Sequence, residues 1–207
     1  MVAILIMTMG LGAAVGLANY AFNASSNIIK QIIGMGLARE GIEGVKNMRD
    51  TNWLKDTLAG DCYNFETGAS DGSCNRNWLN MSVSGGYNID PGATSATYTL
   101  AFDPAQANFW QLASQGSNYT LNYNATGSTG LYSPGAVGAA SGYFRRITIA
   151  KDATGPFVQT GVGPRLTVTS EVWWNEQRCP IATAAAPPTS GSCKIKLQMY
   201  LTNWRDY

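Results

Sequence analysis

Residues 28–54 read IIKQIIGMGLAREGIEGVKNMRDTNWL. Apolar or small residues recur at Ile33, Leu37, Gly41, Gly44 and Met48, with Ile42 and Val45 beside them. That spacing lays one continuous face along a helix. The charges fall largely off this face, and Arg39/Glu43 and Lys46/Asp50 stand four residues apart, where opposite charges support helix. Immediately upstream, residues 1–29, MVAILIMTMGLGAAVGLANYAFNASSNII, contain no Asp, Glu, Lys or Arg, and Lys30 is the first charged side chain. The helical signal continues from one stretch into the other. The sequence therefore predicts one helix of about 50 residues, apolar all round in its first half and amphipathic in its second.

As a helix, residues 1–29 would be about 43 Å long, ample for a hydrocarbon core of about 30 Å. A cleaved secretory signal fits poorly, because there is no basic leader and the apolar run is too long. The amphipathic half needs a folded domain to lie on; the apolar half needs lipid, or copies of itself.

The remaining composition narrows the chemistry. The 207 residues suffice for one domain plus an appended element. A net charge of +1 gives no bulk attraction to nucleic acid or an anionic surface. Charged residues make up only 13% of the chain, so its polarity comes from hydroxyls and amides, as in many extracellular β-rich proteins. The absence of histidine excludes His-based triads, His metal sites and the usual general base. No GxSxG, P-loop or GxGxxG stands between a strand and a helix, and Glu171 and Glu176 read as solvent-facing carboxylates; the sequence points away from an enzyme, with no cofactor and no metal. Asp61, Asp71 and Asn75 do not follow the EF-hand spacing and read as solvated loop residues.

The cysteines fall as two local pairs, Cys62/Cys74 and Cys179/Cys193, each bracketing a Gly-, Ser- or Pro-rich loop. Neighbour pairing is the expectation, each bridge worth about 3 kcal/mol of loop closure, with the other two connectivities open. Zinc is the competing reading, but there is no CxxC and no histidine. Disulfides would place the chain in an oxidising, extracytoplasmic compartment.

After Trp53 the pattern becomes turn-rich, and residues 55–95 read as a connector stapled by Cys62 and Cys74. Strands are expected at 96–102, 119–123, 143–151, 165–176 and 193–204. Leu166, Val168, Val172 and Trp174 share one face, with Ser170 the exception, and Ile195, Leu197, Met199 and Leu201 share another. The last two strands form a long hairpin clamped near its base by Cys179 and Cys193. Residues 125–142 and 152–164 read as loops. The sequons at Asn23, Asn80, Asn118 and Asn124 are read as chance. The fold class is α+β: helix halves 1–29 and 30–54, connector 55–95, and an antiparallel head 96–207.

The N-terminal segment resembles the N-terminal helix of type IV pilins and of the related pseudopilins of type II secretion. GLAREGIEGVKNMRDTNW and the terminal YLTNWRDY also resemble pilin-like proteins of small-genome bacterial lineages. The resemblance implies a pilin-like α+β fold and a filament core built from apolar helices, here Met1, Ile4, Leu5, Met9, Gly10, Gly12, Gly16, Leu17, Tyr20, Phe22, Ile28 and Ile32. It implies as partners further copies of the chain, a pilus assembly machinery and a prepilin peptidase. It implies an inner-membrane pool before assembly and a bacterial surface filament afterwards. The family places a Glu at the fifth mature position, where this chain has Leu5. The expectation is that the cleavage motif and that Glu precede Met1; the alternative is a true departure, as in tip-type minor subunits. Family filaments commonly lose helical order over a central stretch, and Gly10 to Gly16 is the expected place here. Gly12 and Gly16 also form a GxxxG, which suits close helix packing in a membrane.

For surface contact the candidates are Arg145, Arg146 and Trp173. The two arginines beside Tyr143 and Phe144 offer a weak patch for nucleic acid or a surface polymer. Trp173 and Trp174 fall on opposite sheet faces, one toward the core and one toward solvent or a subunit interface. The leading function is a pilin subunit of a type IV pilus-like filament. The alternatives are a minor pilin or pseudopilin, and a single-pass, membrane-anchored binding module.

Overall fold

The structure is a computed structural model that describes residues 2–58, 78–79, 86–92, 94–103, 109–114, 116, 118–124, 131–135, 138–152, 165–176, 183–188 and 193–202. One helix, α1 (Val2–Leu58), precedes the strands β1 (Ser95–Phe102), β2 (Trp110–Ser114), β3 (Thr120–Asn124), β4 (Leu131–Pro134), β5 (Ala139–Asp152), β6 (Arg165–Trp174) and β7 (Lys194–Leu201). The described strands form one antiparallel sheet, so the chain is α+β. At 57 residues α1 is about 85 Å long, far more than the sheet can cover.

The fourteen-residue β5 is the spine of the sheet. Along one edge it pairs with β6 from Tyr143↔Trp174 to Asp152↔Arg165, and β6 pairs in turn with β7. Its other edge is divided. Ser95–Tyr98 of β1 pair with Ile147–Ala150, whereas Thr120–Tyr123 of β3 pair with Ala139–Phe144 across a register shift. The sheet therefore forks, with β1–β2 as one prong and β3–β4 as the other.

The C-terminal half of α1 lies on one face of this sheet. Leu37, Ala38, Ile42, Val45 and Met48 are buried against Ile147, Ile149, Leu166, Val168, Val172 and Trp174, each large apolar side chain contributing about 1.5–3 kcal/mol. Three glycines set the approach distance. A methyl group at Gly34 would stand 2.8 Å from the Trp174 ring; one at Gly41 would stand 2.5 Å from Ser170 Oγ; one at Gly44 would stand 2.5 Å from Leu100 Cδ2. Ser170, the small polar exception on the β6 face, lies under Gly41, where a larger side chain would hold the helix off.

The buried guanidinium of Arg145 fills the fork. Its Nη2 donates to Leu100 O of β1 at 2.8 Å, and its Nη1 lies 3.3 Å from Leu37 O and 3.1 Å from Glu40 Oε1 of α1. The β1 carbonyl lies beyond the β1–β5 pairing, so the arginine occupies a place that sheet hydrogen bonding leaves open.

Below the helix end, Asn52 is fully buried and every polar atom of its side chain is used. Its Nδ2 donates to Trp78 O (2.9 Å) and Tyr87 O (3.0 Å), and its Oδ1 accepts from Tyr87 N (2.7 Å). Trp78, Leu79, Tyr87 and Ile89 thereby join the main core.

Several expectations need correction. Residues 125–142, read as loop, contain β4 and the start of β5, with Gly135 (φ 124) directly after β4 and Gly138 (φ 101) directly before β5. β2 was not expected at all. Within the expected connector 55–95, α1 runs on to Leu58, and Trp78, Tyr87 and Ile89 are core residues. The i,i+4 ion pairs give way to Lys46–Glu43 (3.8 Å) and Arg49–Asp50 (2.8 Å), with the Arg49 guanidinium 5.3 Å from the Trp53 ring centroid. The loss of helical order expected at Gly10–Gly16 belongs to the assembled filament; in the single chain α1 is helical there. Cys62, Cys74 and Cys179, with Asp61, Asp71 and Asn75, lie outside the described residues; Cys193 is disulfide-bonded.

Candidate functional site

Among the described residues, most of the exposed large apolar side chains lie on the N-terminal half of α1. Ile4, Leu5, Met9, Leu17, Tyr20, Phe22, Ile28 and Ile32 are all exposed, Phe22 at 75%. A Cβ at Gly10, Gly12 or Gly16 would meet nothing within 4 Å. Met1 lies outside the described residues. The apolar side chains point to every side of the helix, and none is covered by the sheet. The Thr8 hydroxyl donates back to Leu5 O at 3.0 Å, which keeps this half free of an unpaired polar side chain at that point. Length and composition both suffice for this helix to cross a membrane.

The transition to the head is a polar neck. Lys30 Nζ lies 3.6 Å from Glu176 Oε1, and the Asn27 amide, turned with its NH2 toward the carboxylate, donates to the same side chain. Tyr143 Oη donates to Lys30 O at 3.4 Å. Burial raises the Tyr143 phenol above its ordinary value, and the nearby Tyr132 and Glu176 push it the same way. Burial, then Asp90, likewise raises the Tyr98 phenol. The neck neutralises the first charge of the chain at the point where helix meets sheet, with no linker between them.

The three candidate surface-contact residues are not a patch. Arg145 is 1% exposed, committed to the fork as described. Arg146 is partly exposed, but its Nη2 lies 2.6 Å from Glu171 Oε2 and its guanidinium 5.9 Å from the Tyr119 ring centroid. Trp173 does lie on the face away from α1, yet it is buried there. Residues 183–188 fold back over it, with Trp173 Nε1 donating to Thr183 O (2.9 Å) and Tyr119 N to Ala184 O (3.0 Å). Phe144 stacks on Trp173 with centroids 5.7 Å apart. Strand alternation assigned the face correctly; it carried no information about a connecting segment that returns to cover it. Glu171 and Glu176, read as solvent-facing, are each engaged by a cation, Arg146 and Lys30.

The neck and the Asn52 clamp escaped sequence reasoning as sites. A signal for the second was present: Asn52 interrupts the end of an apolar helical face, where a fully buried amide needs partners from elsewhere in the chain. Comparison with protein-family models, curated proteins and solved structures finds no match for this chain.

Proposed function

We propose that the chain is a structural subunit of a type IV pilus-like filament, assembled through the N-terminal half of α1 with the β-sheet heads outermost. The observation that carries this reading is the continuity of one helix whose second half is buried on the sheet and whose first half exposes apolar side chains on all sides. A single-pass anchor needs only a span. Here the span is also one helix with the segment that packs on the head, through close helix–sheet contact at Gly34, Gly41 and Gly44 and the Lys30–Glu176 neck. Stacked copies would then carry their heads in a fixed relation to the helical core, as a regular filament requires. The resemblance of residues 36–53 to pilin-like proteins supports the same reading.

The second reading is a membrane-anchored module acting as a monomer, which the span alone also supports. Immunogold electron microscopy of whole cells, with antibody against residues 60–207, separates them. Label along fibres is the expected result. Label only at fibre tips moves the assignment to a minor subunit, and even scatter over the envelope without labelled fibres rejects the filament.

A further inference from the structure

We propose that the fork in the sheet is a binding cleft for a neutral saccharide. Where β1 parts from β5 and β3 takes its place, the face turned away from α1 opens into a cavity of about 460 Å³, within the usual range for small-ligand sites. Its polar lining comes from four elements of chain: Thr99 of β1, Gln111 of β2, Asn118, and Thr120 and Asn122 of β3. Pro134 and Gly135 close one wall, and Ala101 and Ala113 form small apolar patches between the polar groups.

The chemistry of this lining selects the ligand. Among the described residues it contains no Asp, Glu, Lys or Arg, so nothing compensates the desolvation of an ionic ligand. Arg146, which lies on the same outer face, is paired with Glu171. Large apolar and aromatic side chains are also missing from the described lining, so a hydrophobic ligand would gain little. Hydroxyls and primary amides both donate and accept, and so does each hydroxyl of a sugar. The Ala and Pro surfaces suit the C–H face of a pyranose ring.

The fold also keeps these groups available. Thr99 Oγ1 makes only a long bond of 3.4 Å to Ala113 O, and Asn118 Oδ1 accepts from Thr120 N at 3.2 Å. No hydrogen bond among the described residues occupies the Gln111 or Asn122 side chain. Arg145, on the α1 side of the sheet, holds Leu100 O at the point where the two prongs separate. The cleft lies on the face opposite the helix, so its occupancy does not depend on what the apolar half of α1 packs against.

An open, solvent-facing site of this kind binds weakly, with Kd on the order of millimolar. The experiment is saturation-transfer NMR on the full chain in detergent micelles, with cellobiose, lactose and N,N′-diacetylchitobiose as neutral probes and sialyllactose as the charged one. Transfer from a neutral disaccharide but not from sialyllactose is expected. Gln111→Ala and Asn122→Ala, both removing side chains that no described bond uses, should each weaken binding about tenfold. Ala113→Tyr should abolish it by filling the cleft. No transfer from any neutral probe overturns the proposal. So does equal transfer from sialyllactose, or binding unchanged in the two alanine variants with unfolding transitions like the parent's.

Discussion

The side chain of Asn52 and the main chain of Tyr87 hold each other in both directions: Oδ1 accepts from Tyr87 N at 2.7 Å while Nδ2 donates to Tyr87 O at 3.0 Å. One amide thus reproduces the pairing of a β-bridge, from the end of a helix, on a segment 35 residues away in the chain. Its second amide hydrogen goes to Trp78 O, so the clamp closes on two segments at once.

Asn52→Ala should therefore lower the unfolding free energy by about 3 kcal/mol, because it leaves buried main-chain groups of Trp78 and Tyr87 unpaired. Asn52→Asp should cost at least as much, since a carboxylate facing two carbonyls cannot replace the two donated bonds. Urea unfolding followed by tryptophan fluorescence measures both. Variants within about 0.5 kcal/mol of the parent would mean that the clamp adds nothing to stability.

Gly34 and Gly36 should respond to alanine with opposite signs. A Cβ at Gly34 would stand 2.8 Å from the rigid Trp174 ring and 3.3 Å from Ile195 Cδ1; at Gly36 it would meet nothing within 4 Å. Gly36→Ala gains helix propensity and should stabilise by about 1 kcal/mol. Gly34→Ala gains the same propensity but overpacks the interface, for a net loss of about 1–2 kcal/mol. Thermal melts of the two variants side by side check the contrast.

Arg145→Met should destabilise by about 3 kcal/mol, since it removes two charge-assisted bonds to carbonyls and unplugs the fork. Glu40→Gln should cost under about 1 kcal/mol, because Glu40 is 36% exposed and water screens its share of the pair. Amide hydrogen exchange at Leu100 and its neighbours should speed up in the first variant and stay near the parent rate in the second.

Alkaline pH should weaken the fold through its tyrosines. Tyr143 and Tyr98 are both raised above the ordinary value of 10.0, chiefly by burial, so the folded state keeps its phenol protons longer than the unfolded chain does. Their contribution is fully present below pH 10 and is lost as pH climbs from there through the folded values. Tyr143→Phe should flatten that decline relative to the parent while leaving the neutral-pH stability close to it, because the bond it removes is a long one of 3.4 Å. Unfolding midpoints between pH 8 and pH 11 are the measurement.

Leu17→Arg should separate head from assembly. Leu17 is 70% exposed and touches nothing in the sheet, so head stability should change by less than about 0.5 kcal/mol. A charge at that depth costs about 3 kcal/mol on insertion. Fractionation should move the variant out of the membrane pool, and fibres, if the filament reading holds, should be lost.

Much of this architecture was legible in residues 28–54. The period of Leu37, Gly41, Val45 and Met48 names the buried helix face because a helix has only one way to present residues at that spacing, and all four lie against the sheet. The alternation in β6 and β7 named their inner faces for the same reason, Ser170 included. Local periodicity is a property of the backbone and needs no partner to be read. β2, WQLAS, escapes sequence reading because it holds no β-branched residue to mark it, and β4 because four residues are too few for a period to emerge; β4 also ends in Pro134, which an edge strand tolerates.

What the sequence determined by itself is the element plan: a helix too apolar at one end for water, amphipathic at the other, followed by strands. Only the tertiary structure decided the fates of particular polar and aromatic groups. Arg145 and Arg146 are adjacent and alike in sequence, yet one is buried in the fork and the other lies on the outer face with Glu171. Trp173 points away from the helix as alternation requires, and is nevertheless buried beneath 183–188. The environment of such a side chain depends on segments distant along the chain. Covering a surface or satisfying a buried charge is a property of the whole packing, whereas period is a property of a single segment.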